Sequence, residues 1–146
     1  MYDEVLEIQN PYDEILPNLF LGGALANYSQ FDAVICLTPD VSFHGRPSQP
    51  TFLIPFNDTR AIPSTEFLMD VVDLVLQRLQ RGSVLVHCSA GCNRSGLIVG
   101  LVMIELGHAP QEAIDQMRAV RSCSVLHNTH FEAYVAAHTR RAGAEA

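Results

Sequence analysis

The chain has 146 residues, 48% of them hydrophobic, and this length fits one compact domain with a substantial core. Its 9 basic and 16 acidic residues give a formal net charge of −7, which argues against a protein that coats nucleic acid or an anionic membrane. The acidic start lacks the pattern of a signal peptide, and no apolar run is long enough to span a bilayer, so we expect a cytoplasmic protein.

The predicted elements alternate between strands and helices. Residues 13–22 form an extended start, and short apolar strands follow at 33–37 and 51–56. A helix capped by Ser64 runs to Gly82, and a strand follows at 83–87. Helices are predicted at 96–106, 110–121 and 128–140. The alternation predicts a single α/β domain over residues 1–146, with a central, largely parallel sheet of about four to five strands flanked by helices.

The segment after the strand at 83–87 carries the strongest chemical signal. Residues 87–96 read His-Cys-Ser-Ala-Gly-Cys-Asn-Arg-Ser-Gly, a strand end, a loop of small residues and a helix start. Backbone N–H groups in such a loop can converge on one anion beside the positive end of the helix. The predicted donors are Ser89, Ala90, Gly91, Cys92, Asn93 and Arg94. We call residues 88–94 the anion-binding loop.

Two side chains of this loop suit phosphate chemistry. The field that binds an anion also favours a thiolate at Cys88, the form in which cysteine is a nucleophile. The planar guanidinium of Arg94 can make two parallel bonds to phosphoryl oxygens, which a lysine cannot do. A glycine-containing turn with a buried cysteine and a surface arginine is the structural alternative.

The loop resembles the signature of the protein tyrosine phosphatase superfamily. His87-Cys88, five further residues and Arg94-Ser95 fit that signature, in the form His-Cys-Ser-Ala-Gly-x-x-Arg-Ser-Gly seen in tyrosine-specific members. The chain is shorter than those domains and is more similar to the dual-specificity phosphatases. Leu19-Phe20-Leu21-Gly22, Asn57-Asp58-Thr59 and Asn128-x-x-Phe131 resemble their first strand, general-acid loop and last helix, so the resemblance covers roughly residues 11–137.

The resemblance implies a role for each matching residue. Cys88 becomes the nucleophile, Arg94 binds the phosphate, and Asp58 is the general acid. Ser95 helps the cysteine to leave in the second step, although a serine there would equally cap a helix. His87 supports the loop and the thiolate.

Some of these assignments have open alternatives. Asp58 could instead cap a turn, as aspartate often does. Asp40 is the reserve candidate for the general acid. The pattern Val120-Arg121 is followed by Ser122-Cys123-Ser124, where the family often has a basic residue, and this argues against doubly phosphorylated substrates.

The other cysteines and the histidines offer weaker candidates. Without a secretory signal, reduced thiols are expected. Cys92 could pair with Cys88 under oxidation, but a small filler is the preferred interpretation; Cys36 fits a core position, and Cys123 has no assigned role. His127 and His130 lack further ligands for a metal, and neither a metal nor a cofactor is expected.

These residues together predict a phosphatase that cleaves phosphate monoesters through a cysteinyl-phosphate intermediate. The expected partner is a phosphorylated protein, with phosphotyrosine first and phosphoserine or phosphothreonine next; the oligomeric state is left open. A phosphate-binding pseudophosphatase and a rhodanese-like sulfur transferase are the alternatives, and neither has a use for a general acid at Asp58.

Overall fold

The computed structural model describes residues 10–24, 29–39 and 49–142. Five strands and four helices are present in these ranges. The strands are β1 (Tyr12–Leu16), β2 (Leu19–Gly22), β3 (Ala33–Cys36), β4 (Thr51–Leu53) and β5 (Val84–His87), and the helices are α1 (Thr65–Leu79), α2 (Arg94–Glu105), α3 (Pro110–Val120) and α4 (Thr129–Ala137).

The strands form one sheet in the order β1-β2-β5-β3-β4. Only β1 runs antiparallel to its neighbour, and β5 lies at the centre between two parallel partners. Gly22 on one side and Cys36 on the other both pair with His87. The prediction of a largely parallel sheet of about four to five strands flanked by helices is therefore confirmed.

Two strand predictions need correction. The extended start at residues 13–22 is a hairpin, because Asn18 adopts a positive φ of 69° and turns the chain between β1 and β2. The strand predicted at 51–56 ends at Leu53, since Pro55 has no N–H to continue the ladder. The backbone still follows β3 for a few residues, with Phe56 N donating to Leu37 O at 3.3 Å.

Side chains alternate between the two faces of the sheet. Leu21, Ile35 and Val86 belong to the large buried cluster that includes residues of all four helices. Val34 and Leu85 point the other way, into a small cluster with the aromatic rings of Tyr12, Phe20 and Phe31. This period of two fixes which residues of each strand face the helices.

The central helix α2 is buried along nearly its whole length. Its Gly100 lets α3 and α4 approach closely, because a Cβ there would lie 3.1 Å from side-chain atoms of both Met117 and Val135. The predicted cap of α1 is confirmed, with Ser64 Oγ accepting from Phe67 N at 3.1 Å. In the described ranges, no helix has the length and hydrophobicity needed to cross a membrane.

Candidate active site

The anion-binding loop leaves the central strand at the carboxyl edge of the sheet. Cys88 follows the last residue of β5, and its N–H donates to Gly22 O at 3.2 Å. The helix α2 begins at Arg94, so residues 88–93 make the whole connection between strand and helix. Ligand sites of open α/β sheets lie at this edge, where parallel strands end together.

Consecutive carbonyl groups of the loop point away from its centre. Each carbonyl from Ser89 to Cys92 accepts a hydrogen bond from outside the loop. The donors are Ala24 N to Ser89 O at 2.9 Å, Arg121 Nη2 to Ala90 O at 3.3 Å, Arg121 Nε to Gly91 O at 2.8 Å, and Leu126 N to Cys92 O at 3.1 Å. The N–H groups of residues 89–94 have no acceptor among the described residues. Donors that a folded loop leaves unused can bind an anion.

Arg121 holds the middle of this loop in place. Its side chain is only 1% exposed and also pairs with Asp13 of β1, at 2.8 Å from Nη1 to Oδ2. Gly91 adopts a φ of 74°, and a Cβ there would lie 2.5 Å from Arg121 Nη2 and 2.7 Å from Gly22 C. Both the backbone conformation and the contact with Arg121 therefore require glycine.

The side chains at the two ends of the loop meet. Cys88 Sγ lies 3.2 Å from Ser95 Oγ, and both side chains are buried. Burial lowers the pKa of the neighbouring His87 to about 4, against a smaller opposing effect of its hydrogen bond with the Cys88 backbone. His87 is therefore neutral at pH 7, which fits a supporting position and not proton transfer.

The other cysteines differ from Cys88. Burial, together with the electrostatic effect of the nearby Cys88, raises the pKa of Cys92 to about 12, so its thiol stays protonated at neutral pH. A protonated thiol is unreactive, which agrees with the filler interpretation. Cys36 is buried in β3, Cys123 is exposed, and none of these cysteines is in a disulfide.

Arg94, the last residue of the anion-binding loop, reaches the loop that follows β4. Its Nη1 donates to Phe56 O at 3.3 Å. Its Nε is buried and has no acceptor in the described part of the chain. A buried guanidinium donor of this kind is available to a phosphoryl oxygen in the loop.

Asp58 is held against the anion-binding loop by side-chain amides. Its Oδ2 accepts from Asn93 Nδ2 at 2.9 Å and its Oδ1 from Asn128 Nδ2 at 2.7 Å. Asn128 also donates to Thr59 O at 3.0 Å and caps α4. The carboxyl group is otherwise in an exposed loop, so these amides determine where it lies.

Of the remaining candidates, His127 contacts this site through Asn93. His127 is hydrogen-bonded to Ser124 O and Asn93, and no set of three potential metal ligands occurs among the described side chains. Asp40, the reserve acid, lies outside the described residues. Sequence reasoning missed Arg121 and Asp13, whose pairing spans 108 positions and leaves no local pattern.

The chain matches known proteins over most of its length. The family model of the dual specificity phosphatase catalytic domain matches residues 22–141. A candidate tyrosine phosphatase, 123R, of Invertebrate iridescent virus 6 is 30% identical over 116 residues, which cover 75% of this chain and 79% of the viral protein.

Solved structures share the fold at lower identity. A mouse candidate dual specificity phosphatase, solved with zinc tungstate, superposes with a TM-score of 0.77 at 20% identity and covers 88% of this chain and 86% of the mouse chain. Human DUSP28 gives 0.74 at 17% identity, with 88% and 92% covered. The human tyrosine phosphatase-like serine/threonine/tyrosine-interacting protein gives 0.70 at 22% identity, with 85% and 92% covered.

Proposed function

The chain belongs to the dual specificity phosphatase family, and from this premise we propose how its residues divide the work of hydrolysis. The protein is a cysteine-dependent phosphatase that hydrolyses phosphate monoesters on proteins. In the proposed first step, Cys88 Sγ attacks phosphorus in line while the bond to the leaving oxygen breaks. Asp58 gives its proton to that oxygen, and the phosphoryl group is left on the cysteine.

The second step returns the enzyme to its starting state. Asp58, now a carboxylate, takes a proton from a water molecule that attacks the phosphorus of the cysteinyl-phosphate. The sulfur–phosphorus bond breaks, and the hydroxyl of Ser95 donates to the departing sulfur. In both steps Arg94 and the N–H groups of residues 89–94 bind the equatorial oxygens, where charge accumulates.

The outward-facing carbonyl groups of the anion-binding loop are the observation that carries this proposal. They leave the N–H groups of residues 89–94 available to one ligand, in the loop that begins at Cys88. A protein that only bound phosphate, or one that transferred sulfur, would have no need of a carboxyl group at the loop. Because Asp58 is held there by two amides, the proposal favours hydrolysis over both alternatives.

The proposed substrate is a phosphorylated protein, and the proposed compartment is a reducing one. Phosphotyrosine is the first expected substrate, with phosphoserine and phosphothreonine next. The free thiols of Cys36, Cys88, Cys92 and Cys123 suit a reducing compartment such as the cytoplasm, where a thiolate nucleophile stays active.

Replacement of the nucleophile tests the central assignment. Cys88→Ser should abolish phosphate release from an aryl phosphate, because a serine hydroxyl stays protonated in this site. It should still bind vanadate or phosphate, since the loop donors and Arg94 remain. Cys123→Ser, at an exposed cysteine that is not part of the loop, is the matched control and should retain wild-type turnover. Turnover by Cys88→Ser near the wild-type rate would contradict the assignment.

Replacement of Asp58 tests the general acid. Asp58→Asn should lower kcat by about two to four powers of ten on a phosphate ester with a poor leaving group. The loss should be much smaller on an activated aryl phosphate, because its leaving group scarcely needs a proton. Steady-state rates on both esters decide the matter, and an equal loss on both would assign the acid to another residue.

A further inference from the structure

Asn93 uses its whole side-chain amide, although the signature leaves its position unspecified. Its Nδ2 donates to Asp58 Oδ2 at 2.9 Å and lies 3.2 Å from His127 Nε2. Its Oδ1 accepts from Asn128 N at 2.9 Å. The residue is only 5% exposed, so these protein contacts replace solvent around the amide.

The contacts allow the amide only one orientation. The N–H of Asn128 can only donate, and this places the amide oxygen of Asn93 toward α4. His127 fits the same orientation. Its Nδ1 lies 2.8 Å from Ser124 O, which can only accept, so Nδ1 carries a hydrogen, and in the tautomer with that single hydrogen Nε2 accepts from Asn93 Nδ2. The NH₂ group of Asn93 is therefore directed at Asp58 and His127 together.

We propose that the Asn93 side chain is a positioning residue that aligns the general acid with the bound phosphate. This inference rests on the proposed role of Asp58. Asn93 belongs to the anion-binding loop by its backbone and to the Asp58 contact by its amide. One residue thus joins the phosphate site to the general acid. A small shift of the loop therefore also moves the carboxyl group of Asp58.

The alignment matters because Asp58 lies in an exposed loop with few other restraints. A general acid must be within hydrogen-bond reach of the leaving oxygen when the ester bond breaks. Two neutral amides, from Asn93 and Asn128, hold one carboxyl oxygen each. They fix the carboxyl group without adding a full charge beside the phosphate. A misplacement of about 1 Å can cost about a hundredfold in rate.

A double-mutant cycle with Asp58 tests the proposal. Asn93→Ala keeps the backbone N–H of the loop and removes only the amide. We expect kcat on a poor leaving group to fall roughly ten- to a hundredfold, with KM and vanadate affinity changed by less than about twofold. On an activated aryl phosphate the fall should be less than about threefold. In the Asp58→Asn background, Asn93→Ala should cause no further loss, because the two residues act as one unit.

A second variant and a control keep the test interpretable. If Asn93→Ala does not fold, as judged by circular dichroism and urea unfolding, Asn93→Ser retains a polar group but is too short to reach Asp58, and it should give the same pattern. Gln111→Ala removes an exposed amide on α3 that contacts Asp115, and it should leave all rates unchanged.

The outcomes separate this proposal from the proposed function. Equal loss for Asp58→Asn on both leaving groups would overturn the acid assignment and this proposal with it. If Asp58→Asn behaves as expected, three results would overturn the role of Asn93 alone. These are an unchanged kcat in Asn93→Ala, an equal loss in both backgrounds, and a parallel fall in vanadate affinity, which would assign Asn93 to phosphate binding.

Discussion

His87 lies beside Cys88 as a buried, neutral histidine, and this makes the stability of the fold depend on pH. Burial lowers its pKa from 6.5 to about 4, so between these values the unfolded chain binds more protons than the folded chain. The contribution of His87 to the unfolding free energy is therefore fully present above about pH 6.5 and is lost as the pH falls towards 4.

Urea unfolding at pH 7 and pH 4 should reveal this loss. From the shift of pKa, His87 accounts for about 3 kcal/mol of the fall in unfolding free energy between the two pH values. His87→Gln does not titrate, so its free energy should fall by correspondingly less. The exposed His130 provides the control, because His130→Gln should leave the wild-type fall unchanged. A fall of the same size in His87→Gln and wild type would show that His87 binds its proton as readily in the folded chain as in the unfolded chain.

At the scale of elements, the anion-binding loop depends on a residue just beyond the end of α3. Arg121→Lys keeps a charge for Asp13 but loses the planar group that contacts Ala90 O and Gly91 O together. We expect vanadate affinity and kcat/KM each to fall by about tenfold or more, since a hydrogen bond from a charged donor is worth about 1.5–3 kcal/mol. Arg81→Lys, at an exposed position after α1, is the matched control and should change neither quantity. Wild-type vanadate affinity in Arg121→Lys would show that the loop keeps its shape without this contact.

A second cluster joins the chain after α4 to α1 and α2. Glu105, buried near the end of α2, accepts from Arg141 Nε at 2.8 Å and from His138 Nε2 at 2.9 Å, and Arg141 also pairs with Asp73 at 2.6 Å. Burial alone would raise the pKa of Glu105, but the hydrogen bonds from Arg141 and His138 and the charge of Arg141 outweigh it and lower the pKa. The ionised Glu105 therefore stabilises the folded chain above the usual glutamate pKa, and this stabilisation is lost as the pH falls below that value.

Removing Arg141 should destabilise the fold, because the buried carboxylate of Glu105 loses its charged partner. Arg141→Met should lower the unfolding free energy at pH 7 by about 2 kcal/mol, less than for a fully broken buried pair because His138 remains. Asp73→Asn disturbs only the exposed half of the cluster and should cost less than about 1 kcal/mol. Urea unfolding of the two variants compares them directly, and equal losses would mean that Glu105 gains little from Arg141.

Elements with local sequence signals were predicted correctly, and features that depend on distant contacts were not. The helices α1 and α3 were predicted to within a few residues because their apolar spacing, the cap at Ser64 and Pro110 are local signals. The connection between β5 and α2 was equally visible, since its small residues are consecutive in the sequence. The hairpin turn at Asn18 was missed, because its positive φ has no strong sequence signature in a non-glycine residue. The roles of Arg121 and of the Asn93 side chain depend on partners distant in sequence, and no local pattern could reveal them.

At the scale of the whole molecule, an anion in the loop should stabilise the fold. A ligand that binds only the folded chain raises the unfolding free energy by about 2.7 kcal/mol at a hundred times its Kd. Vanadate should therefore raise the melting temperature and inhibit competitively. In separate samples, a metal chelator should change neither the melting temperature nor the activity. Loss of activity in chelator, restored by a divalent cation, would indicate a different phosphatase mechanism.

The contacts that shape the anion-binding loop also determine when it can form during folding. Its carbonyls are held by Ala24 near the start of the described chain and by Arg121 and Leu126 near its end, while Arg121 in turn contacts Asp13, 108 positions away. Contacts so distant in sequence form late, because long loops must first be closed. A nascent or truncated chain that lacks residues beyond α3 can have its central strand and still lack a competent phosphate site. We therefore expect anion binding to be acquired only with the completed fold, so that a chain truncated after α3 should bind no vanadate.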